Sequence, residues 1–263
     1  QKYTSYVFKI KSRKEGAARI PIRYRVITHR TAEKGMCMSM RLNASTIPQL
    51  EAIGQTRDGV LYSHMFPMKG INLITGAVDS GKTTLIYSCL QEYIVNDSRH
   101  AFIDTYENPI EGDLEGLVKT HNVTNKVVRQ CPSPEGVSTF VEGIEFSLRK
   151  NTDIILAGEV RSSSEIQALI YGALSTGKLI LATLHTDSIP VTITRLLNGI
   201  QSDDPGKTKS LVYDLIMNMN MIVSQKLLTT VKKKRVAVNE IFLFNREIKS
   251  KLATLPMHEI SNE

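Results

Sequence analysis

The segment GAVDSGKT, residues 76–83, combines residue types that hold phosphate. Its glycines let backbone N–H groups turn inward around an anion, and a helix N-terminus after the loop adds a favourable dipole. In such a loop Lys82 reaches the outer phosphates of a nucleotide, and the Thr83 hydroxyl binds Mg²⁺. An apolar run precedes the segment and a helical pattern follows it, as the motif requires. The sequence therefore predicts a phosphate-binding loop made of Gly76, Ala77, Val78, Asp79, Ser80, Gly81, Lys82, Thr83 and Thr84.

An acidic residue, Asp79, stands inside this loop. Aspartate accepts left-handed backbone angles better than most residues, so it suits a tight turn. Its charge, however, would lie near an anionic ligand. We expect the carboxylate to point to solvent at a modest cost in affinity. The alternative is a loop tuned for weak nucleotide binding.

Three further residues of catalytic type follow predicted strands. Glu107 comes after AFIDTY, Glu159 after DIILAG and His185 after LILATL. Open α/β sheets bind ligands at the carboxyl ends of their strands, so these side chains are expected beside the phosphate loop. Hydrolysis of a nucleotide needs a carboxylate that orients the attacking water and a group that senses the γ-phosphate. Glu107 and Glu159 are candidates for the first role, and His185 is the candidate for the second.

The strands that must position these residues are continuous apolar runs. Such runs indicate burial on both faces, as in a parallel sheet covered by helices. The predicted strands are residues 71–75, 101–105, 127–130, 153–158 and 179–184. Helical patterns lie near residues 83–95, 137–150, 163–175 and 208–228, the third beginning with a capping box of Ser162 and Glu165. The last is predicted to lead into a hairpin whose basic turn, Lys232 to Arg235, is solvated; contact with anionic lipid or an acidic partner is the alternative.

The N-terminal residues alternate with a period of two. Met36, Met38 and Met40 share one predicted face, and Arg23 and Arg25 share the other. The pattern predicts a small antiparallel sheet with an apolar face, an arginine-bearing face and a hairpin loop at residues 28–35. The expected division is a small sheet domain at 1–47, a helix and linker at 48–69, and an α/β domain at 70–263.

Composition is ordinary for a globular protein, with 41% hydrophobic and 22% charged residues. The net charge of +7 is uneven, because residues 1–66 carry 12 Lys/Arg against 4 Asp/Glu and the remainder carries 21 against 22. Phosphates, nucleic acid, an anionic membrane or an acidic subunit are all partners that such charge suits. No apolar run is long enough for a transmembrane helix, and the three cysteines are expected to be reduced thiols. Because the chain begins with Gln1, we expect it to be a piece of a longer protein.

The ordered set of phosphate loop, YENPIE, ILAGEVR and LATLHT resembles the secretion ATPase superfamily. It is most similar to the PilT-like branch, near the DotB-type ATPases of type IVB secretion and their relatives in IncI-type plasmid conjugation. The later stretch LLTTVKKKRVAVNEIFLF resembles the strand pair that follows the long helix of that family. The resemblance covers about residues 18 to 250 and implies a PAS-like N-terminal domain followed by a RecA-like ATPase domain.

Roles for individual residues follow from the resemblance. It implies that Glu107 activates water, that Glu159 is the Walker B glutamate and that His185 is the histidine of the His box. RYRV and SMRLNAS resemble the strands of the family that carry phosphate-reaching arginines. This resemblance implies that Arg25 and Arg41 are catalytic, and Arg23 is the weaker candidate. Arg195 matches an arginine downstream of the His box. Two departures stand out: Asp79 replaces the usual glycine, and Asn108 replaces a frequent aspartate.

The resemblance also implies partners and location. It predicts a homo-hexamer that hydrolyses ATP with Mg²⁺ and powers a secretion, conjugation or pilus apparatus from the cytoplasmic face of the inner membrane. Platform proteins of that apparatus are the implied partners, and peripheral membrane association is compatible with the prediction. Direct nucleic-acid binding is not expected, because 6% aromatic residues and no Trp offer few stacking platforms. Three alternatives stay open: a DNA-translocating ATPase, a nucleotide-binding subunit with little hydrolysis, favoured by Asp79 and Asn108, and a small-molecule kinase.

Overall fold

The computed structural model describes residues 2–9, 21–31, 35–43 and 46–260. Their strands form two sheets, one with three strands and one with seven. The strands of the small sheet are β1 (Lys2–Lys9), β2 (Pro21–Thr31) and β3 (Gly35–Asn43). The strands of the large sheet are β4 (Gly70–Thr75), β5 (Ala101–Glu107), β6 (Lys126–Pro132), β7 (Ile154–Glu159), β8 (Leu179–Leu184), β9 (Met219–Thr229) and β10 (Arg235–Leu243).

The helices follow the predicted alternation with strands. A short 3-10 helix, Glu51–Ile53, and α1 (Val60–Ser63) occupy the segment predicted as helix and linker. The other helices are α2 (Lys82–Asn96), α3 (Leu114–Thr120), α4 (Phe140–Arg149), α5 (Ser163–Thr176), α6 (Ile189–Gly199), α7 (Pro205–Asn218) and α8 (Arg246–Thr254). The sequence patterns missed α3, α6 and α8. The predicted capping box of α5 is confirmed, with Ser162 and Glu165 bonding reciprocally.

The large sheet has the order β10-β9-β4-β8-β7-β5-β6 and is parallel except for the pair β9–β10. Adjacent residues of one strand enter different cores, because successive side chains point to opposite faces. Ile155 and Ile180 pack in a cluster with α5, whereas Leu156 and Leu181 pack in a cluster with α2. The predicted burial of both faces is therefore confirmed for the central strands. It is wrong for β6, which is an edge strand with Val127 45% exposed.

The C-terminal part of the predicted helix at 208–228 is a strand. Helix α7 ends at Asn218, and β9 begins at Met219 between β4 and β10. Residues of β9 from Met221 to Gln225 are buried because they are covered by the sheet and its helices. Tertiary burial, rather than a local helical pattern, decides the structure of this stretch.

An ion pair between the buried Asp104 and the partly exposed Arg129 fixes the middle of β5. The Asp104 carboxylate accepts a hydrogen bond from Arg129 Nε of β6 at 2.5 Å and others from the Thr152 and Ser147 hydroxyls. Burial alone raises the pKa of Asp104, but these hydrogen bonds outweigh burial and the pKa is lowered. The network joins β5 to β6 and to the loop before β7, and so holds the strand that ends in Glu107.

The small sheet is an antiparallel meander, β1-β2-β3. The antiparallel pairing is as the period-two pattern predicts, and its register, which that pattern does not specify, places Arg25 directly opposite Arg41 and Val26 opposite Met40. The predicted hairpin loop at 28–35 is too long, because the paired strands leave only residues 32–34 to connect them. The side chains of Arg23, Arg25 and Arg41 lie outside the described residues. Met36, Met38 and Met40 are each more than half exposed.

The three cysteines are free thiols, as expected. Within the described ranges, each helix is too short or too polar to cross a lipid bilayer.

Candidate active site

The predicted phosphate loop lies between β4 and α2, which confirms its strand–loop–helix context. Gly76 has φ +146° and Gly81 has φ +85°, angles that L side chains rarely adopt. A Cβ at Gly76 would also clash with the Gln225 carbonyl oxygen and approach Ser80 Oγ to 2.7 Å. Both glycines are therefore required by the local backbone.

Asp79 adopts φ +60°, so the predicted left-handed backbone is confirmed. Its side chain is exposed, as expected for a carboxylate directed toward solvent. It still acts on the site electrostatically, because its charge favours the protonated form of Lys82. The acid thus adds negative charge to the loop without distorting it.

Gln225 of β9 holds the phosphate loop through a side-chain hydrogen bond. Its Nε2 donates to the Ser80 carbonyl oxygen at 2.6 Å, and both side chains are buried. The contact ties the loop to the neighbouring parallel strand rather than to its own flanking elements. Sequence reasoning missed Gln225 because it assigned this stretch to a helix.

The Lys82 ammonium has three partners, equal to its three hydrogens. Nζ donates to the carbonyl oxygens of Gly76 at 2.8 Å and Ala77 at 2.7 Å, and it lies 3.1 Å from His185 Nδ1. Burial lowers the pKa of Lys82, while the charges of Glu159 and Asp79 oppose that fall. The lysine is therefore held inside the loop, facing the histidine at the end of β8.

His185 connects Lys82 to Glu159. Its Nε2 lies 3.0 Å from Glu159 Oε1, and its Nδ1 faces the lysine. An ammonium group only donates hydrogen bonds, so Nδ1 of His185 must be the acceptor. Nε2 then carries the ring hydrogen and donates it in a hydrogen bond to the Glu159 carboxylate. Arg161 Nη2 donates to the other oxygen, Glu159 Oε2, at 2.6 Å. The result is a continuous chain of polar contacts from the phosphate loop through β8 to β7.

Arg195 of α6 supports this series of polar contacts through two hydrogen bonds to the backbone. It donates to the carbonyl oxygens of His185 at 3.0 Å and of Arg161 at 3.4 Å. The two loops that follow β7 and β8 are thereby held together. Arg195 contacts the backbone of the site rather than its reacting side chains, which gives it a positioning role.

Glu107 has different surroundings from Glu159. Its carboxylate is only 4% exposed and accepts hydrogen bonds from the Tyr87 hydroxyl at 2.8 and 2.7 Å. Burial raises the pKa of Glu107 to about 7; the bond from Tyr87 opposes the rise, and the Glu111 charge adds to it. A carboxylate with a pKa near 7 is well suited to accept a proton from water.

The pKa values of the two glutamates are thus shifted in opposite directions, upward for Glu107 and downward for Glu159. Burial raises the pKa of Glu159, but Arg161 and His185 outweigh burial and the pKa is lowered. Glu159 is therefore a fixed anion, whereas Glu107 is poised to gain or lose a proton near neutrality. Such a divergence is the usual sign of separate acid–base roles in one site.

One cavity of about 920 Å³ brings these residues together. Glu107, Glu159 and His185 line it. The loop residues that line it are Val78, Asp79, Gly81, Lys82, Thr83 and Thr84. The β9–β10 hairpin adds Leu227 and Arg235, so part of the basic turn faces the cavity instead of solvent alone. Its contribution was not foreseen, because strand pairing decides it.

The site fits Mg²⁺ bound together with a nucleotide. Thr83 offers a hydroxyl in the first turn of α2, and Glu159 offers a carboxylate in the lining of the same cavity. Among the described residues, no cluster of three or more His, Cys, Asp or Glu holds a metal by itself. Mg²⁺ is usually bound through substrate phosphates and one or two protein oxygens, and the Thr83 hydroxyl in the cavity lining is an oxygen of that kind.

These features define a phosphate-loop site on a RecA-like α/β sheet. The chain matches the family described as Type II/IV secretion system protein over residues 15–255 and belongs to it. The resemblance to PilT-like secretion ATPases of the DotB branch is thereby confirmed.

The comparisons with single proteins agree in fold. The Escherichia coli K12 protein YggR, described as uncharacterized, is 32% identical over 211 residues, covering 80% of this chain and 60% of that protein. The X-ray structure of the Legionella pneumophila ATPase DotB has a TM-score of 0.83 at 26% identity, covering 99% of this chain and 67% of that one. A crystal structure of the pilus retraction motor PilT with bound ADP gives 0.77 at 23% identity, covering 98% and 69%. The chain therefore spans well under the full length of these relatives.

Proposed function

We propose that the chain is an ATPase that hydrolyses ATP to power a secretion, conjugation or type IV pilus apparatus. The observation that carries this proposal is the convergence of Lys82, Glu159 and His185 in one chain of polar contacts, with Glu107 on the same cavity. A site that only binds nucleotide needs the phosphate loop, but it does not need two carboxylates whose pKa values are shifted in opposite directions.

The chemistry assigns a step to each group. Water attacks the γ-phosphorus as its proton passes to the Glu107 carboxylate, a P–O bond forms, and the bond to the β-phosphate oxygen breaks to leave ADP and phosphate. Lys82 exchanges its carbonyl partners for phosphate oxygens, and His185 follows this change through its contact with the lysine. Glu159 holds His185 and Arg161 in place. Thr83 would help to hold a Mg²⁺ ion, which would supply positive charge against the phosphates.

The assembly is proposed by analogy with the family. We infer a homo-hexamer that lies at the cytoplasmic face of the inner membrane and contacts platform proteins. The family membership and the likeness to DotB support this inference. We place the domain boundaries at 1–47, 48–69 and 70–263. In this arrangement Arg25 and Arg41, directly opposite each other on β2 and β3, reach the nucleotide phosphates from the small sheet.

Glu159→Gln tests the hydrolytic role. The amide keeps the size of the side chain but loses the charge that holds His185 and Arg161. We expect nucleotide affinity to stay within about threefold and turnover to fall roughly 10- to 100-fold. Phosphate release with Mg²⁺-ATP, measured with and without DNA on the size-exclusion fraction near hexamer mass, gives the turnover.

Each other outcome has a defined meaning. Loss of nucleotide binding in Glu159→Gln shows that Glu159 is structural, and unchanged turnover removes it from the chemistry. Strong stimulation by DNA favours a DNA-translocating ATPase. Nucleotide binding without turnover in the unaltered chain favours a binding subunit, for which the exposed charge of Asp79 in the phosphate loop is the supporting observation.

Arg25→Ala and Arg41→Ala test the small sheet. An arginine that stabilises transition-state charge on phosphate is worth a large factor, so each variant is expected to slow turnover at least about tenfold. Thermal unfolding is expected to be unchanged, because the core of the large sheet does not include these residues. Normal turnover in both variants excludes the small sheet from the site.

A further inference from the structure

Tyr87 holds the Glu107 carboxylate from the side of helix α2. Its hydroxyl lies 2.8 Å from Oε1 and 2.7 Å from Oε2 of Glu107, so a single proton is shared between both carboxylate oxygens. The two side chains are 3% and 4% exposed. Burial and the adjacent charge of Glu107 raise the pKa of Tyr87 well above its ordinary value, so the phenol remains a donor.

The phenol is itself fixed in position. Gln130 Nε2 of β6 donates to the Tyr87 oxygen at 3.4 Å and to the Gly112 carbonyl oxygen at 3.1 Å. Gly112 leaves room for the ring, because a Cβ there would lie 2.7 Å from its Cδ1 and Cε1 atoms. Backbone hydrogen bonds at Gly112 and Glu111 also reach the phenol. Tyr87 therefore sits in a built pocket with little freedom to turn away from Glu107.

The position of Tyr87 links two parts of the site. Helix α2 begins at Lys82, the residue that reaches the phosphates, and Tyr87 lies five residues further along the same helix. A helix of this length is rigid over such a distance, so the lysine and the phenol move as one body. Glu107 belongs to β5, which is separated from β4 in the sheet by the two strands β8 and β7. The Tyr87 hydroxyl is thus a direct contact between the phosphate-binding helix and the strand that carries the base.

We propose that Tyr87 is a positioning residue for Glu107, aiming the carboxylate that accepts the proton of the attacking water and tying it to the phosphate-binding helix. The inference rests on the proposed ATP hydrolysis and extends it. The hydrogen bond favours the ionised form of Glu107 against burial and against the charge of Glu111, the charged neighbour that acts on it. Without the bond, Glu107 takes up a proton at higher pH and its orientation is less fixed.

Tyr87→Phe removes the hydroxyl and keeps the ring. We expect kcat to fall about tenfold, KM for ATP to stay within about twofold, and the midpoint of the kcat–pH profile to rise by about one unit. Tyr62→Phe is the matched control, since the Tyr62 hydroxyl is buried and has no hydrogen-bond partner in the described part of the chain. Its kcat and pH midpoint are expected to match those of the unaltered protein.

A lower kcat with an unchanged midpoint means that Tyr87 only fills space in the core without acting on Glu107, and this overturns the proposal. An unchanged kcat and midpoint also overturn it. If neither the unaltered protein nor Tyr62→Phe hydrolyses ATP, the proposed function fails on its own. The positioning contact is then judged by denaturant unfolding between pH 5 and 9. The pH range in which stability falls extends upward by about one unit in Tyr87→Phe if the contact acts on Glu107, and stays the same if it does not.

Should Tyr87→Phe fold poorly, Gly112→Ala provides a second test. The added methyl group displaces the ring of Tyr87 without removing its hydroxyl. We expect the same upward shift of the pH midpoint, and its absence in a folded Gly112→Ala protein overturns the proposal.

Discussion

Replacing Lys82 with alanine is expected to lower ATP turnover roughly 100- to 1,000-fold. The ammonium is the cation at the centre of the phosphate loop, and its three contacts end on Gly76, Ala77 and His185. Alanine removes both the charge that meets the γ-phosphate and the contact through which His185 senses it. Phosphate release at saturating Mg²⁺-ATP and nucleotide binding by titration measure the two effects separately.

The control for this variant is Lys209→Ala, because Lys209 is exposed on α7, away from the cavity. It is expected to keep the turnover and the nucleotide affinity of the unaltered protein. Turnover in Lys82→Ala equal to that of Lys209→Ala contradicts the assignment of residues 76–83 as the catalytic phosphate loop.

Glu107→Gln is expected to lower kcat roughly 100- to 10,000-fold, because the amide has no lone pair basic enough to accept the proton of the attacking water. The pKa of about 7 adds a second signature. In the unaltered protein kcat is expected to rise with pH, about tenfold per unit below pH 7, and to level off above it. The residual activity of Glu107→Gln is expected to lack this rise.

The same pKa predicts an effect on stability with a definite sign. Burial raises the folded-state pKa of Glu107 from 4.5 to about 7, so the folded state holds a proton that the unfolded chain releases. The free energy of unfolding therefore falls as pH rises from about 4.5 to 7 and is constant for this group above that range. Glu107→Gln removes this pH-dependent loss of stability. Between pH 5 and pH 8, its free energy of unfolding is expected to rise by about 2–3 kcal/mol relative to that of the unaltered protein.

Denaturant unfolding at pH 5 and pH 8 measures this difference. Glu145→Gln, at an exposed position of α4, is the matched control for a glutamate-to-glutamine substitution outside the cavity. A pH-independent difference between Glu107→Gln and the unaltered protein shows that Glu107 is already ionised in the folded state at pH 5. The proton-accepting role would then have to move to another group.

The two variants address different halves of one site. Lys82 lies at the start of α2 and Glu107 at the end of β5. In the proposed mechanism, Lys82 meets the charge of the nucleotide and Glu107 accepts the proton of the attacking water. A loss of turnover in both, with nucleotide binding kept in Glu107→Gln, is the pattern expected of hydrolysis. A nucleotide-binding subunit would respond to Lys82→Ala in binding and to neither variant in turnover.

Much of this protein was determined by the sequence alone. The loop at residues 76–83 was identified from residue types that few other functions require together, and its glycines have the positive φ that the motif demands. The central strands were predicted because a parallel sheet buries both faces and so leaves continuous apolar runs in the sequence. The period-two pattern of the N-terminal residues correctly predicted antiparallel strands there, since alternation along a strand is a local property.

Only the tertiary structure decided the rest. The stretch from Met219 became a strand because it fills the place beside β4, and β6 became an edge strand that is partly exposed. The roles of Tyr87 and Gln225 depend on contacts with residues 20 and 145 positions away, which no local pattern records. The sequence indicated Glu107 and Glu159 as candidates, but the opposite shifts of their pKa values come from burial in one case and from Arg161 and His185 in the other. Periodicity reports which residues share a face of one element, whereas a pKa is set by whatever the fold packs around the group.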